Sequence, residues 1–152
     1  AVVDLLFNWP PDGGARTDIK EIITRLNNDF IVKLFVPDME LGAFYRGCNA
    51  ETIGVDTIKI KTNPLDFNCI TFTKKLRAAI SDFKPDLIFF GDGWFIKPTI
   101  ISKFGDCKYL IRFYAYEGLC LRQHGIFFKN ERKRNFIFSL FHYNFYFIYY
   151  NL

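Results

Sequence analysis

The chain has 152 residues, half of them apolar and about a quarter charged. That length supports one domain with a core of its own, and that balance excludes a disordered chain. Formal net charge is +4, but residues 129–134 (KNERKR) hold +3 of it, so the body lacks the distributed basic face that nucleic-acid binding requires.

Residues 1–7 (AVVDLLF) read as a buried strand, a short apolar run ended by turn residues. The turn Asn8-Trp9-Pro10-Pro11-Asp12-Gly13-Gly14 excludes regular structure and leaves the backbone open to a ligand. A helix is expected over 16–28. Ile19, Ile22, Ile23 and Leu26 form its apolar stripe, Thr17 is a candidate cap, and Asp18 and Glu21 suit its positive end. Residues 30–36 (FIVKLFV) are a second strand stopped by Pro37, which closes a βαβ unit.

Residues 37–56 read as loop. Residues 57–61 (TIKIK) alternate and fit an outer strand. A helix over 69–83 places Phe72, Leu76, Ala79, Ile80 and Phe83 on one side and gives Lys74, Lys75 and Arg77 to solvent. An apolar strand, 87–90, follows Pro85, and Gly91-Asp92-Gly93 turns the chain. A short helix over 97–104 has Pro98 in its first turn and Gly105 past its end. Residues 108–114 (KYLIRFY) are a further strand. The alternation predicts an α/β, Rossmann-like fold: a mostly parallel sheet, led by 1–7, 30–36, 86–90 and 108–114, with helices on both faces.

The tail departs from this rhythm. Residues 136–152 (FIFSLFHYNFYFIYYNL) contain nine aromatics, slightly too few residues for a membrane span, and no clean helical stripe. Three readings stand: a frameshifted or read-through end with A/T-rich codons, a membrane-surface or spanning segment preceded by basic residues 129–134, or an ordinary buried element. His142, inside this tail, is given no role. The expected division is therefore 1–128 as the folded domain and 129–152 as a basic, then aromatic tail.

Cys48, Cys69, Cys107 and Cys120 lack the spacing of a zinc site. They read as reduced thiols of a cytoplasmic protein. The N-terminus has no basic region before its apolar run, so no secretory signal is read there, and the absence of an initial Met fits a processed chain or a fragment.

In an open parallel sheet, ligands bind beyond the carboxyl ends of the strands where the strand order reverses. In the order 3-2-1-4-5 that crevice falls between the first and fourth parallel strands. Its walls are expected to be loops 8–16, 91–97 and 115–125, with Gly13 and Gly14 at its floor. Gly13-Gly14 before a helix places backbone N–H groups toward a phosphate, although a plain tight turn explains them equally. Asp92 and Glu117 are candidate catalytic carboxylates, able to accept sugar hydroxyls or act as a base. Arg16 and Arg122 are candidate anion partners, and His124 is a further loop candidate. For each, a turn-forming or solvent-facing role is the competing reading. The G-x-G-x-x-G and G-x-x-x-x-G-K-[ST] signatures are absent, which counts against a dehydrogenase, an epimerase or a phosphate-loop enzyme.

The first strand, the PPDGGA turn with a helix behind it, and the later KPDLIFFGDGW segment together resemble the N-terminal domain of GT-B glycosyltransferases, in particular the retaining group known as glycosyltransferase family 4 or group 1. The resemblance covers roughly residues 1–128. It implies two facing Rossmann-like domains, with the acceptor, a glycan or a lipid-linked molecule, on the first and a nucleotide-sugar mainly on the second. It also implies that Gly13 and Gly14 lie near the donor's diphosphate, weakly bound by this half, with no cofactor or metal needed. Where the family often has a histidine against the transferred sugar, this chain has Tyr116-Glu117 within YAYEG. The family's E-x7-E donor motif belongs to the second domain and is missing here, so this chain is expected to be inactive alone. The alternative from another class is a non-enzymatic Rossmann-like binding or interaction module.

Overall fold

The computed structural model describes residues 1–41, 44–93 and 96–114. Its elements are β1 (Val2–Val3), α1 (Gly14–Leu26), β2 (Lys33–Leu41), β3 (Phe44–Arg46), β4 (Asp56–Lys61), α2 (Thr71–Phe83), β5 (Ile88–Phe90), α3 (Lys97–Ile101) and β6 (Tyr109–Ile111). Five strands pair in parallel in the order β4-β2-β1-β5-β6. Counting these parallel strands along the chain, this is the 3-2-1-4-5 order. β3 folds back antiparallel on the far end of β2, with Met39 opposite Arg46.

Alternation along the strands explains the layers. Val2, Leu34 and Val36 join Ile19 and Ile23 of α1 in one cluster. Val3, Phe35, Ile88 and Phe90 join Phe72, Leu76 and Ile80 of α2 in the other, together with Ile100, Ile101 and Phe104 around α3. Adjacent strand residues point to opposite faces, so a strand covered on both sides needs an unbroken apolar run. Helices therefore lie on both faces, and the α/β, Rossmann-like expectation holds. Each fully buried Phe or Leu contributes roughly 1.5–3 kcal/mol. The predicted α2 stripe is buried at Phe72, Leu76 and Ile80, with Ala79 and Phe83 packed at its edge.

Several boundaries differ from the sequence reading. Residues 2–7 are all buried, but only Val2 and Val3 pair as a regular strand. From Asp4 onward the main chain bonds irregularly: Leu5 N–H donates to Asp92 C=O and Gly47 N–H to Phe7 C=O. Helix α1 starts at Gly14, two residues earlier than expected. Gly13 precedes it in extended backbone, with no side-chain cap and no acid in the first turn. Thr17 is therefore a solvent-exposed helix residue and not its cap.

Pro37 does not end β2. Thr62 N–H donates to Asp38 C=O, so Asp38 directs its main chain at the β4 side. Pro37 points the other way, past the paired part of β1, where its missing N–H breaks no ladder bond. The segment 37–56, expected to be loop, holds the end of β2, β3 and a 3-10 turn at Ala50–Ile53. Gly47 follows β3 with φ +74°, and a side chain there would run into the Pro37 carbonyl. Strand β6 is also shorter than expected, as is α3, which continues as a 3-10 turn over Ser102–Phe104. The expected boundary at 128 and the tail 129–152 lie outside the described residues. Among the described residues, no helix is long and apolar enough to cross a membrane.

Candidate functional site

The carboxyl ends of β1 and β5 meet at the point where the strand order reverses, and a charged network is built there. Asp4 follows β1 and is fully buried. Its Oδ1 accepts the Leu6 N–H at 3.0 Å, and its Oδ2 accepts the Asp92 N–H at 2.9 Å. Asp92 is itself buried. Its Oδ1 accepts the Gly93 N–H, and its Oδ2 accepts the Arg16 Nη1 at 2.6 Å. The Arg16 Nε donates to the Leu6 carbonyl at 3.0 Å and lies 3.0 Å from Asp12 Oδ1. One guanidinium from α1 thus ties together the loop after β1 and the loop after β5.

Burial sets the electrostatics. Loss of hydration, and then the negative neighbour Asp92, push the Asp4 carboxyl up to about 7, against the two amide bonds and the Arg16 charge that favour ionisation. Arg46, at the end of β3, is pulled below its ordinary value, first by burial and then by the like charge of Arg16. Lys97 is buried in the first turn of α3, and its Nζ donates to the Gly91 and Arg112 carbonyls, both at 2.7 Å. It holds the chain just after β5 and just after β6 together. Tyr114 donates its hydroxyl to Asp18 at 2.7 Å, and Arg112 meets the same carboxylate at 3.1 Å. Burial, with that carboxylate, pushes the Tyr114 phenol up.

Four of the sequence candidates converge here: Gly13, Gly14, Arg16 and Asp92. Glu117, Arg122 and His124 lie outside the described residues, as does the loop 115–125. The glycines divide into two kinds. Gly13 and Gly14 are exposed, and among the described residues nothing lies within 4 Å of where a Cβ would stand. The third expected wall of the crevice, 115–125, lies outside the described residues, so the expected place of these two glycines at its floor is not tested. Asp4, Leu5 and Asp92 are buried at the neighbouring strand ends. At Gly91 a Cβ would lie 2.6 Å from Asp4 Oδ2, and at Gly93 it would lie 2.8 Å from Lys97 Cβ. Those two glycines are required by packing, whatever the crevice binds.

Sequence reasoning missed Asp4, Arg46 and Lys97. Asp4 left a signal, a single carboxylate inside a run otherwise wholly apolar. Arg46 and Lys97 left none, because an arginine in an unassigned loop and a lysine before a proline look like surface residues.

A separate cavity of about 640 Å3 opens at the opposite, amino end of the sheet. Leu26, Phe30, Ile31, Phe83, Leu87 and Phe89 line it, and Ile31 is 85% exposed. It shares no residue with the charged network. Among the described residues no cluster of three metal-ligating side chains occurs. Among the described residues Cys48, Cys69 and Cys107 form no disulfide. Comparisons with models of known protein families, with curated proteins and with solved structures find no match.

Proposed function

We propose that this chain is the acceptor-side half of a GT-B-type glycosyltransferase, which moves a sugar from a nucleotide-sugar to a glycan or a lipid-linked acceptor. One observation carries the reading: the uncapped start of α1, where Gly13 and Gly14 meet no other atom among the described residues, sits at the switch point beside a charged network. Unpaired N–H groups at a helix start attract a diphosphate. An exposed contact of this kind contributes about 0.3–1 kcal/mol, so this half alone binds a nucleotide-sugar weakly, on the order of millimolar. The catalytic logic is electrostatic, with fixed N–H groups stabilising the departing diphosphate.

In this reading Arg16 and Asp92 are positioning residues. Their charges are spent on each other and on main-chain groups, so they set the shape of the crevice. Glu117 remains the candidate catalytic carboxylate, with Arg122 and His124 as candidate ligand contacts. The cytoplasmic setting and a peripheral hold on an anionic membrane surface, through residues 129–152, belong to the same proposal. They rest on the basic run followed by nine aromatics.

Titration with a nucleotide-sugar, followed by backbone amide shifts, tests the site. Perturbation is expected within residues 12–18 and is expected to vanish in Gly14→Val. Shifts that avoid 12–18 would overturn the assignment. The 152-residue chain by itself is expected to give no sugar transfer, and turnover above the blank would refute that. The second reading, a non-enzymatic Rossmann-like binding or interaction module, is favoured by the internal neutralisation of Asp92 by Arg16. A complete absence of shifts would support it.

A further inference from the structure

The carboxyl group of Asp4 occupies an unusual position. It is wholly inside the protein, at the seam between β1 and β5, and each of its two oxygens already faces an amide N–H. One amide belongs to its own turn, at Leu6. The other belongs to Asp92, 88 residues away on the neighbouring strand end. Both neighbours carry the crevice: Leu6 gives its carbonyl to Arg16, and Asp92 gives its carboxylate to the same guanidinium.

A carboxylate accepts from two N–H groups at once, and each such bond is strengthened by the charge. A neutral carboxyl carries a hydrogen on one oxygen. A hydroxyl oxygen accepts more weakly than a carboxylate oxygen, and its hydrogen competes with the N–H for the same side of the atom, so the bond on the protonated oxygen is the one that yields. We propose that Asp4 is a proton-controlled latch between the two crevice loops: ionised, it holds the Leu6 and Asp92 amides together, and protonated, it releases one of them and loosens the Arg16–Asp92 tie. The charged groups around it come from several neighbouring elements: Asp92 after β5, Asp12 just before α1, Arg16 and Asp18 in α1, Arg46 from β3, and Tyr114 beyond β6, which is bonded to Asp18. Burial opposes ionisation while the amides and Arg16 favour it, so the balance falls near neutrality, where a modest pH change moves the population. The inference holds whichever ligand the crevice takes and does not rest on the glycosyltransferase reading.

The test is an amide-shift titration of the full chain from pH 5 to 9. The Leu6 and Asp92 amides are expected to move together with one midpoint near 7, and the movement is expected to be lost in Asp4→Asn. Asp92→Asn removes the opposing charge and is expected to move the midpoint to lower pH. The amino group of Ala1, lowered by burial to about 6, donates to Leu87 C=O at the other end of β1, so its titration is read at residue 87 and not at 92. Should Asp4→Asn fail to fold, the side-chain carboxyl carbon of Asp4 in the unaltered protein reports the same ionisation. Amides at 6 and 92 that stay still, that titrate with different midpoints, or that titrate equally in Asp4→Asn would overturn the latch.

Discussion

A methyl group added at Gly91 would stand 2.6 Å from both Asp4 Oδ2 and Ile19 Cδ1. Neither can retreat easily: Oδ2 is held by the Asp92 amide while Oδ1 of the same carboxyl is held by the Leu6 amide, and Ile19 is a core residue of α1. Gly91→Ala is therefore expected to lose about 1–3 kcal/mol, the usual cost of overpacking, measured by urea unfolding. A Cβ on Gly14 would meet nothing among the described residues, and Gly14 begins a helix. Gly14→Ala is expected to hold stability or raise it by up to about 1 kcal/mol, because alanine favours helix and restricts the unfolded chain. That contrast also makes Gly14→Val a fair binding test, since a loss of ligand there is not a loss of fold. Arg16→Ala leaves Asp92 as a buried charge without its guanidinium. A change of that kind costs roughly 3–5 kcal/mol, and it is expected to shift the amides of residues 6 and 91–93 together. An effect confined to α1 would show that the tie across the crevice is unimportant. From the sequence, Arg16 and Asp92 were legible as members of one site, because both follow strands that end at the switch point. Their pairing was not legible, since it depends on the angle at which α1 leaves the turn.

At the scale of elements, the periodic signals read true and the punctuation did not. Stripes such as Phe72, Leu76 and Ile80 named α2 and the face it buries. The apolar runs at 30–36 and 87–90 named two inner strands of the sheet. Pro37 misled, because a proline breaks a strand only where its N–H is needed, and the register with β4 is not visible in the residues themselves. β3 was missed because it is three residues long and pairs only where β2 outruns the sheet. The start of α1 was misplaced because Thr17 looked like a cap, whereas Arg16 is fixed by contacts from other elements. Leu76 tests the α2 packing directly. It is fully buried against the sheet, so Leu76→Ala is expected to cost about 2–5 kcal/mol. A loss under 1 kcal/mol would mean that α2 is not part of the cooperative core.

For the whole molecule, the buried carboxyl of Asp4 predicts how stability follows pH. An ordinary aspartate ionises at 3.8 and Asp4 at about 7. Between those values the unfolded chain has released this proton and the folded chain still holds it, so stability falls as pH rises. The contribution is complete below about pH 4, declines through the interval and is gone above about pH 7. The full span is on the order of 4 kcal/mol. Ala1 acts in the opposite sense between 6 and 8, because burial lowers its amino group to about 6 from 8.0, and the folded state is then favoured as pH rises. The cleanest window is therefore about pH 4 to 5, where Asp4 is ionised in the unfolded chain but still protonated in the folded one, and Ala1 stays charged in both. Urea unfolding of the unaltered protein and of Asp4→Asn, at steps through pH 4–8, isolates the term as the difference between two curves. The unaltered protein is expected to lose stability relative to the variant as pH rises. The variant keeps a polar side chain of the same shape, whose amide oxygen still accepts one N–H while its NH2 faces the other amide. Parallel curves would show that Asp4 is ionised in the folded state well below neutrality, held so by Arg16 and the two amides. In that case the network at the switch point would be a fixed strut, rigid at every pH at which the fold survives.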